Sequence, residues 1–434
     1  MLLGILGFLV LVGIMVILFH GRVSPAVAFV GIPIIVALFL GFNPIEIGRF
    51  IQQGVGTTTG TAILFIFSIP FFFIMNDVGV FNPIINGMVK AAQGSHVRVT
   101  IFTVLLTMVA HLDGAGASTA LICIPALLPI YKKLNMRPHV LLFLVAMSAG
   151  VMNITPWGGP TLRAAAILAL DVNYIWRQLI PVQAFAILLS LALAVFFGLR
   201  EKKYEQVAID WYAKNTPTKK ADEKTEEGKS LPTWKMAANI ALILIALGAL
   251  VWGQIAAFVV FMIATTIALF LNYPNLKEQN GVLDRSAKGV LTVVTVLLAS
   301  GALIGILEQT RMLYEMGEMI LGIIPPGAGQ FYNVFIGFLA APVAVVFGTD
   351  SYFFGLLPLI AAVGEALGFA PVTSANLLLI GHNSTVFVSP FTPAMFLMIG
   401  LAGVELREHL RFCLPWAIPI SWLYVVFGFA IGII

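Results

Sequence analysis

Apolar residues run in blocks along almost the whole chain, and polar residues gather where the blocks end. A bilayer core takes roughly 20 helical residues to cross. By that measure the pattern predicts spans at 2–20, 24–42 and 57–76, followed by an amphipathic stretch, Asp77–Arg98. Two shorter apolar arms, 99–112 and 119–131, flank the polar turn His111-Leu112-Asp113-Gly114-Ala115-Gly116-Ala117-Ser118. A long apolar segment at 139–170 is interrupted at Asn153–Thr161, and a span at 179–199 follows. Residues 200–235 carry Lys, Glu, Asp, Thr and Pro with few aliphatics and read as a solvated, flexible linker. The plan then recurs. Spans fall at 236–253, 255–272 and 290–307, with an amphipathic stretch at 308–329. Two apolar arms flank Gly348-Thr349-Asp350-Ser351, a segment is broken at Ser389-Pro390-Phe391-Thr392-Pro393, and a last span covers 413–434.

The recurrence holds residue by residue. A shift of 234 carries Thr155-Pro156 onto Ser389-Pro390, Asp171 onto Glu405, Arg177 onto Arg411 and Pro181 onto Pro415; a shift of 233 carries Ser118 onto Ser351 and Pro125 onto Pro358. This predicts an internal duplication, 1–199 and 236–434, joined by the linker 200–235. Each arm around a polar turn is about 14 residues, or roughly 21 Å of helix, which is short of a full crossing. The arms are therefore expected to form re-entrant hairpins. Each half then has five true crossings, an odd number, so the halves are expected to be inverted in the membrane. Inverted repeats with broken helices are a common plan of secondary transporters.

Composition agrees with the pattern. The 434 residues are 60% hydrophobic and 10% charged, which points to an all-α polytopic membrane protein. No basic residue precedes the first apolar run, so that run is expected to be retained as a span and not cleaved as a signal peptide. Cys123 and Cys413 lie far apart in apolar contexts and indicate neither a disulfide nor a metal site. A net charge of +4 gives no sign of a nucleic-acid partner, and the distribution of the basic residues says more. With the linker in the cytoplasm, of 24 Lys and Arg only Arg49, Arg177 and Arg311 fall outside, and Arg163 within the membrane. So strong a positive-inside bias favours this orientation, with both termini extracytoplasmic in an inner (plasma) membrane.

Candidate chemistry sits where helices cannot continue. Pro156 and Pro160 each remove a backbone donor, and Gly158 and Gly159 weaken the helix further. Backbone left open at membrane depth must line a protein-walled cavity. The first break offers Asn153, Thr155, Gly158, Gly159, Thr161 and the nearby Arg163 as substrate contacts, and the second offers Ser384, Thr385, Ser389 and Thr392. The hairpin tips add Ser118, Thr119 and Ser351, with Asp113 and Asp350 as cation or proton sites. Each of these has a plainer role. Asp, Ser and Thr cap helices routinely. Arg163 can form a structural ion pair with Asp113 or Asp350, or it can clamp a substrate carboxylate. It has no basic counterpart in the second half, where the shifted position is Leu397. His382 is a weak proton-relay candidate, and Asn383 and Ser384 can serve helix packing or coordination. Trp157 reads as cavity wall. Glu308, Glu315, Glu318 and Glu365 read as solvated, and the run Pro70–Phe73 as lipid-facing or interface packing. No nucleophile–base pair or metal cluster is evident, so the chain does not read as an enzyme. A channel lined by the same breaks is the other class to exclude, and saturable counterflow would exclude it.

At these motifs the chain resembles the citrate–metal–proton symporter family, CitMHS, of the ion transporter superfamily. The matching pieces are His111–Thr119, Ile124–Leu134, Met152–Arg163, Gly348–Gly355, Ser389–Pro393 and Gly400–Leu406. The resemblance implies proton-coupled uptake of citrate as a divalent-metal complex (Mg or Ca) by a homodimer. The metal would be bound to the substrate and not held directly by the protein, and no resident cofactor is implied. The mechanism implied is of the elevator type, with the hairpins and broken helices moving against a fixed scaffold. The chain departs from the family pattern in having Ala115 where a second Asp often stands, and in His382-Asn383. Those departures keep open an alternative, a symporter for a succinate-like or gluconate-like carboxylate without metal.

Overall fold

The structure is a computed structural model and describes residues 2–20, 23–80, 82–83, 87, 94–215, 232–252, 254–322, 325 and 327–434. Every regular element among the described residues is helical. The first part of the chain gives α1 (Leu2–His20), α2 (Pro25–Phe39), α3 (Pro44–Asp77), α4 (His96–Ala110), α5 (Gly116–Lys133), α6 (Pro138–Met152), α7 (Gly159–Ile167), α8 (Val172–Glu201) and α9 (Glu205–Asn215). The second gives α10 (Thr233–Trp252), α11 (Ala257–Asn272), α12 (Leu276–Gln309), α13 (Met312–Leu321), α14 (Tyr332–Val346), α15 (Leu357–Ala366), α16 (Pro371–Asn383), α17 (Pro393–Ala402) and α18 (Leu406–Ala430). Seven helices among the described residues are long and apolar enough to cross a membrane, with shorter apolar helices between them.

Helices α3 and α12 both outrun the spans read from hydropathy. Each has 34 residues, about 51 Å of helix. Their caps explain the extra length. Asn43 accepts from the Ile45 and Glu46 amides while Glu46 accepts from the Asn43 amide, and Pro44 opens the first turn. Asn275 accepts from the Glu278 amide in the same way. The turns that follow are amphipathic, so a hydropathy window misses them. The two helices cross with backbones in contact: a Cβ on Gly54 would lie 2.0 Å from Gly301 O, and one on Gly305 2.2 Å from Phe50 O. Small residues at such a crossing admit the close approach that packing in lipid rewards. Helices α2 and α11 flank this pair, and α10 packs on α11.

The second group of helices surrounds α6 and α16. Val140 to Val151 are all buried in α6, and Ser374 to Asn383 are all buried in α16. A helix apolar on every side is a core helix; here the surroundings are other helices, with α4, α5 and α8 around α6, and α14, α15 and α18 around α16. A Cβ on Gly150 would fall 1.8 Å from Asn383 O, so the ends of these two helices touch backbone to backbone.

Several expectations are corrected. Residues 202–215 of the linker are helical and docked. Tyr212 donates to Met136 O at 3.0 Å, Trp211 Nε1 to Glu408 at 3.2 Å, and Asn135 to Glu205 at 2.9 Å. Beside them Glu201 is fully buried against Arg137, with both Nε and Nη2 of that guanidinium on Oε1. Apolar side chains spaced among the charges hold α9 to the protein, and the composition of the linker as a whole masks them. Residues 216–231 lie outside the described residues, as do Arg22 and Lys90 of the charge distribution. The Phe run is also reassigned: Phe71 and Phe72 are buried, because α3 is enclosed by α11, α12 and α7. The arms of the first polar turn extend beyond the apolar blocks. Helix α4 starts at His96, and α5 continues through Lys132 and Lys133, whose charges ended the hydropathy block.

Candidate functional site

The breaks define the site. Helix α6 stops at Met152 and α7 starts at Gly159, as the two prolines and two glycines predict. Gly158 is required there, since a Cβ would sit 2.2 Å from Asn153 O. Its amide closes a turn onto Thr155 O at 2.8 Å. Helix α7 has 9 residues, and its first amides, those of Gly159 and Thr161, have no helical acceptor. The second break is wider than Ser389–Pro393. Helix α16 already ends at Asn383, and 384–391 runs in turns before α17. Ser384 and Thr385 turn their hydroxyls onto Gly381 O, at 3.0 and 3.2 Å, and such local bonds compete with helix continuation.

The first tip is built around Asp113 and packs on the first break. His111 to Asp113 form a single 3-10 turn, and Gly114, at φ +70, reverses the chain. Asp113 accepts from the Ala115 amide at 2.8 Å and from the Ser118 hydroxyl. The N-cap of α5 is Ala115 and no side chain caps the helix; the Asp113 carboxylate instead fixes the turn before it, while Thr119 bonds to Ala115 O at 3.0 Å. His111 ties tip to break, with Nδ1 on Thr119 at 2.7 Å and Nε2 on Asn153 Oδ1 at 3.1 Å. Trp157 adds a second tie, donating to Leu112 O at 2.8 Å, and its ring stacks on Phe72 at 5.2 Å. Trp157 is thus wall. On its other side the tip meets the second break, where a Cβ on Gly116 would strike the Phe387 ring at 2.4 Å.

The second tip has the reciprocal arrangement. Thr349 meets His382 Nε2 at 3.1 Å, and Ser389 donates to Val345 O at 2.8 Å, so the tip rests on the second break. Its charged residue reaches the first: Arg163 Nε on α7 donates to Asp350 Oδ1 at 2.8 Å. Asp350 precedes a π-helical turn, Ser351–Leu356, a distortion frequent at functional sites. The Ser351 side chain lies outside the described residues. Arg163 chooses Asp350 over Asp113, and the Nη1 and Nη2 groups of its guanidinium make no hydrogen bond among the described residues. The pair is incompletely covered, with side-chain exposures of 15% and 29%.

Hydrogen-bond direction sorts the expected contacts. Thr155 donates to Met152 O, Thr161 to Asn153 O, and Ser384, Thr385 and Ser389 to backbone carbonyls as above. Their single protons are spent, so they offer only lone pairs, which suit a cation better than a carboxylate. Among the described residues at the two breaks, donors without a hydrogen-bond partner are the Nη groups of Arg163, the first amides of α7 and the buried Nδ2 of Asn383. Thr392 is the N-cap of α17 and makes no capping bond. Glu308, Glu318 and Glu365 are exposed, and Glu315 half-buried. Among the described residues no three His, Cys, Asp or Glu converge as a metal site. Sequence reasoning missed His111. Its position beside Asp113 in the polar turn was a signal, but its bond to Asn153 lies across 42 positions of chain.

Two helices broken inside the core, each carrying a polar tip on its break, define a multi-span membrane transporter. The particular family is equally plain: residues 6–381 match the citrate transporter family, CitMHS, and the chain belongs to it. It is 33% identical to a citrate transporter of Bacillus subtilis (strain 168) over 433 residues, covering 100% of this chain and 99% of that one. It is also 33% identical, with the same coverage, to a Mg(2+)/citrate complex secondary transporter of that organism. In fold it is similar to the crystal structure of the YdaH transporter of Alcanivorax borkumensis, with a TM-score of 0.61, 15% identity and 90% of each chain covered.

Proposed function

We propose that this protein takes up citrate across the inner membrane as a complex with a divalent metal, Mg or Ca, driven by protons, through an elevator movement of a homodimer. The observation that carries the reading is Arg163. Among the described residues its Nη groups have no hydrogen-bond partner, and neither do the first amides of the half-helix on which it stands. A fork of donors beside a helix N-terminus matches a carboxylate in both geometry and charge. Asp113 and Asp350 supply the negative charge that a proton or metal-bound substrate calls for. The two halves, 1–199 and 236–434, are read as inverted repeats with re-entrant hairpins. The reciprocal packing of each tip on both breaks supports that reading.

A second reading, a succinate-like or gluconate-like substrate without metal, draws on one observation. The first tip has a single carboxylate, Asp113, and Ala115 and Ser118 already engage it. Proteoliposomes given labelled citrate under an inward proton gradient, with Mg, with Ca or with neither, separate the two. Metal-dependent uptake is expected. Uptake indifferent to metal would transfer the case to the second reading, and no citrate uptake at all would sink the first.

A further inference from the structure

The Arg163–Asp350 pair joins the two breaks. Arg163 stands on α7, after the first break, and Asp350 on the tip that rests on the second. The contact is made through Nε alone, so Asp350 holds one corner of a fork that could hold a carboxylate with two. It is a monodentate stand-in. Its other oxygen, Oδ2, makes no hydrogen bond among the described residues, and the pair is open enough to be reached, at 15% and 29% exposure. A partly exposed monodentate pair is weak, which is what an exchangeable contact needs. The remaining charge facing the guanidinium is small: His382, on α16, is engaged by Thr349, and α1, which also packs on the Asp350 turn, brings no charged side chain to it.

We propose that Asp350 is a built-in competitor for the substrate. In the empty carrier it neutralises Arg163. An arriving substrate carboxylate takes the guanidinium in its place, and Asp350 is released. Its charge is free to receive a cation only once substrate is bound. The inference rests on the carboxylate-transport reading and adds the order of events within it. No bond is made or broken; one ion pair replaces another.

The test is equilibrium binding of citrate, with and without Mg²⁺, to the full-length purified protein and to Asp350→Asn and Asp350→Ser. Removing the competitor is expected to tighten citrate binding by about two- to fivefold, the scale of a partly exposed ion pair. Asp350→Glu, which keeps the charge, is expected to tighten citrate binding less than either neutral variant. Two neutral variants are used so that misfolding of one leaves the other, and retention of the native unfolding transition without ligand is the entry check. Unchanged or weaker citrate binding in both neutral variants would overturn the exchange and make Asp350 an ordinary ligand or strut. If the native protein binds no citrate, the transport reading fails first, and that result is distinct from native binding without a gain in the variants.

Discussion

Arg163 is the residue on which charge and geometry agree best. Truncation to alanine removes the only charged donors at the first break that lack a hydrogen-bond partner among the described residues. Citrate KM is expected to rise about tenfold or more, and Arg163→Lys should recover little, because an ammonium cannot present the fork. Uptake kinetics of the two variants check this, and an unchanged KM would end the clamp role. Gly158 is fixed by space. The methyl of Gly158→Ala would lie 2.2 Å from Asn153 O, within the turn that aims α7. An expected cost of about 1–3 kcal/mol should show in thermal unfolding, with loss of uptake. His111 is held by Thr119 and Asn153. His111→Ala leaves the buried Asn153 Oδ1 without its partner, while Thr119 keeps its bond to Ala115 O, for an expected cost of about 1–3 kcal/mol. Thermal unfolding measures it; a neutral result would mean that the tip is held by Trp157 alone.

At the scale of elements, what sequence could read was whatever backbone chemistry decides locally. Prolines and glycines placed the start of the first break at Asn153 and its end two residues late, at Thr161 where the helix resumes at Gly159, and Asn43 with Glu46 marks a helix start that hydropathy overlooked. What it could not read were choices made by neighbours. Helix α16 ends at Asn383 because its hydroxyls fold back and its end abuts Gly150, and only the second of those is a contact between distant segments. Phe71 and Phe72 read in sequence as lipid-facing or interface packing and are buried because α11 lies over them. Arg163 had two possible acidic partners in sequence, and only the fold selects Asp350. The α6–α16 contact gives a prediction at this scale. Gly150→Ala places a methyl 1.8 Å from Asn383 O and must part the two helices, whereas Gly248→Ala in α10 meets nothing within 4 Å. The first is expected to lose stability and uptake together. The second is expected to be neutral, or to gain up to about 1 kcal/mol from helix propensity. Comparable unfolding temperatures for both would mean that the close approach of the breaks is not needed.

For the whole molecule the question is which parts move. The crossing of α3 with α12, with α2, α10 and α11 around it, forms one body. The breaks and tips belong to the helices around α6 and α16. The two bodies meet where Trp157 lies against Phe72 of α3 and Phe261 of α11. That seam is apolar and bears no salt bridge at these rings, so sliding along it exchanges one van der Waals contact for another and costs little. An elevator movement requires the Trp157–Phe72 contact to break in every cycle. Cysteines at positions 72 and 157, with the buried Cys123 and Cys413 replaced by alanine, allow a short bifunctional maleimide to hold the seam closed. A matched pair at Asn239 and Asn272, which hydrogen-bond to each other between α10 and α11, lies within one body. Cross-linking the seam pair is expected to stop citrate uptake almost completely. Cross-linking the second pair should leave most of it, because both of its residues lie within the packed α10–α11 pair. Undiminished uptake with the seam fixed would exclude sliding of these two bodies and leave only local opening of the tips to alternate access.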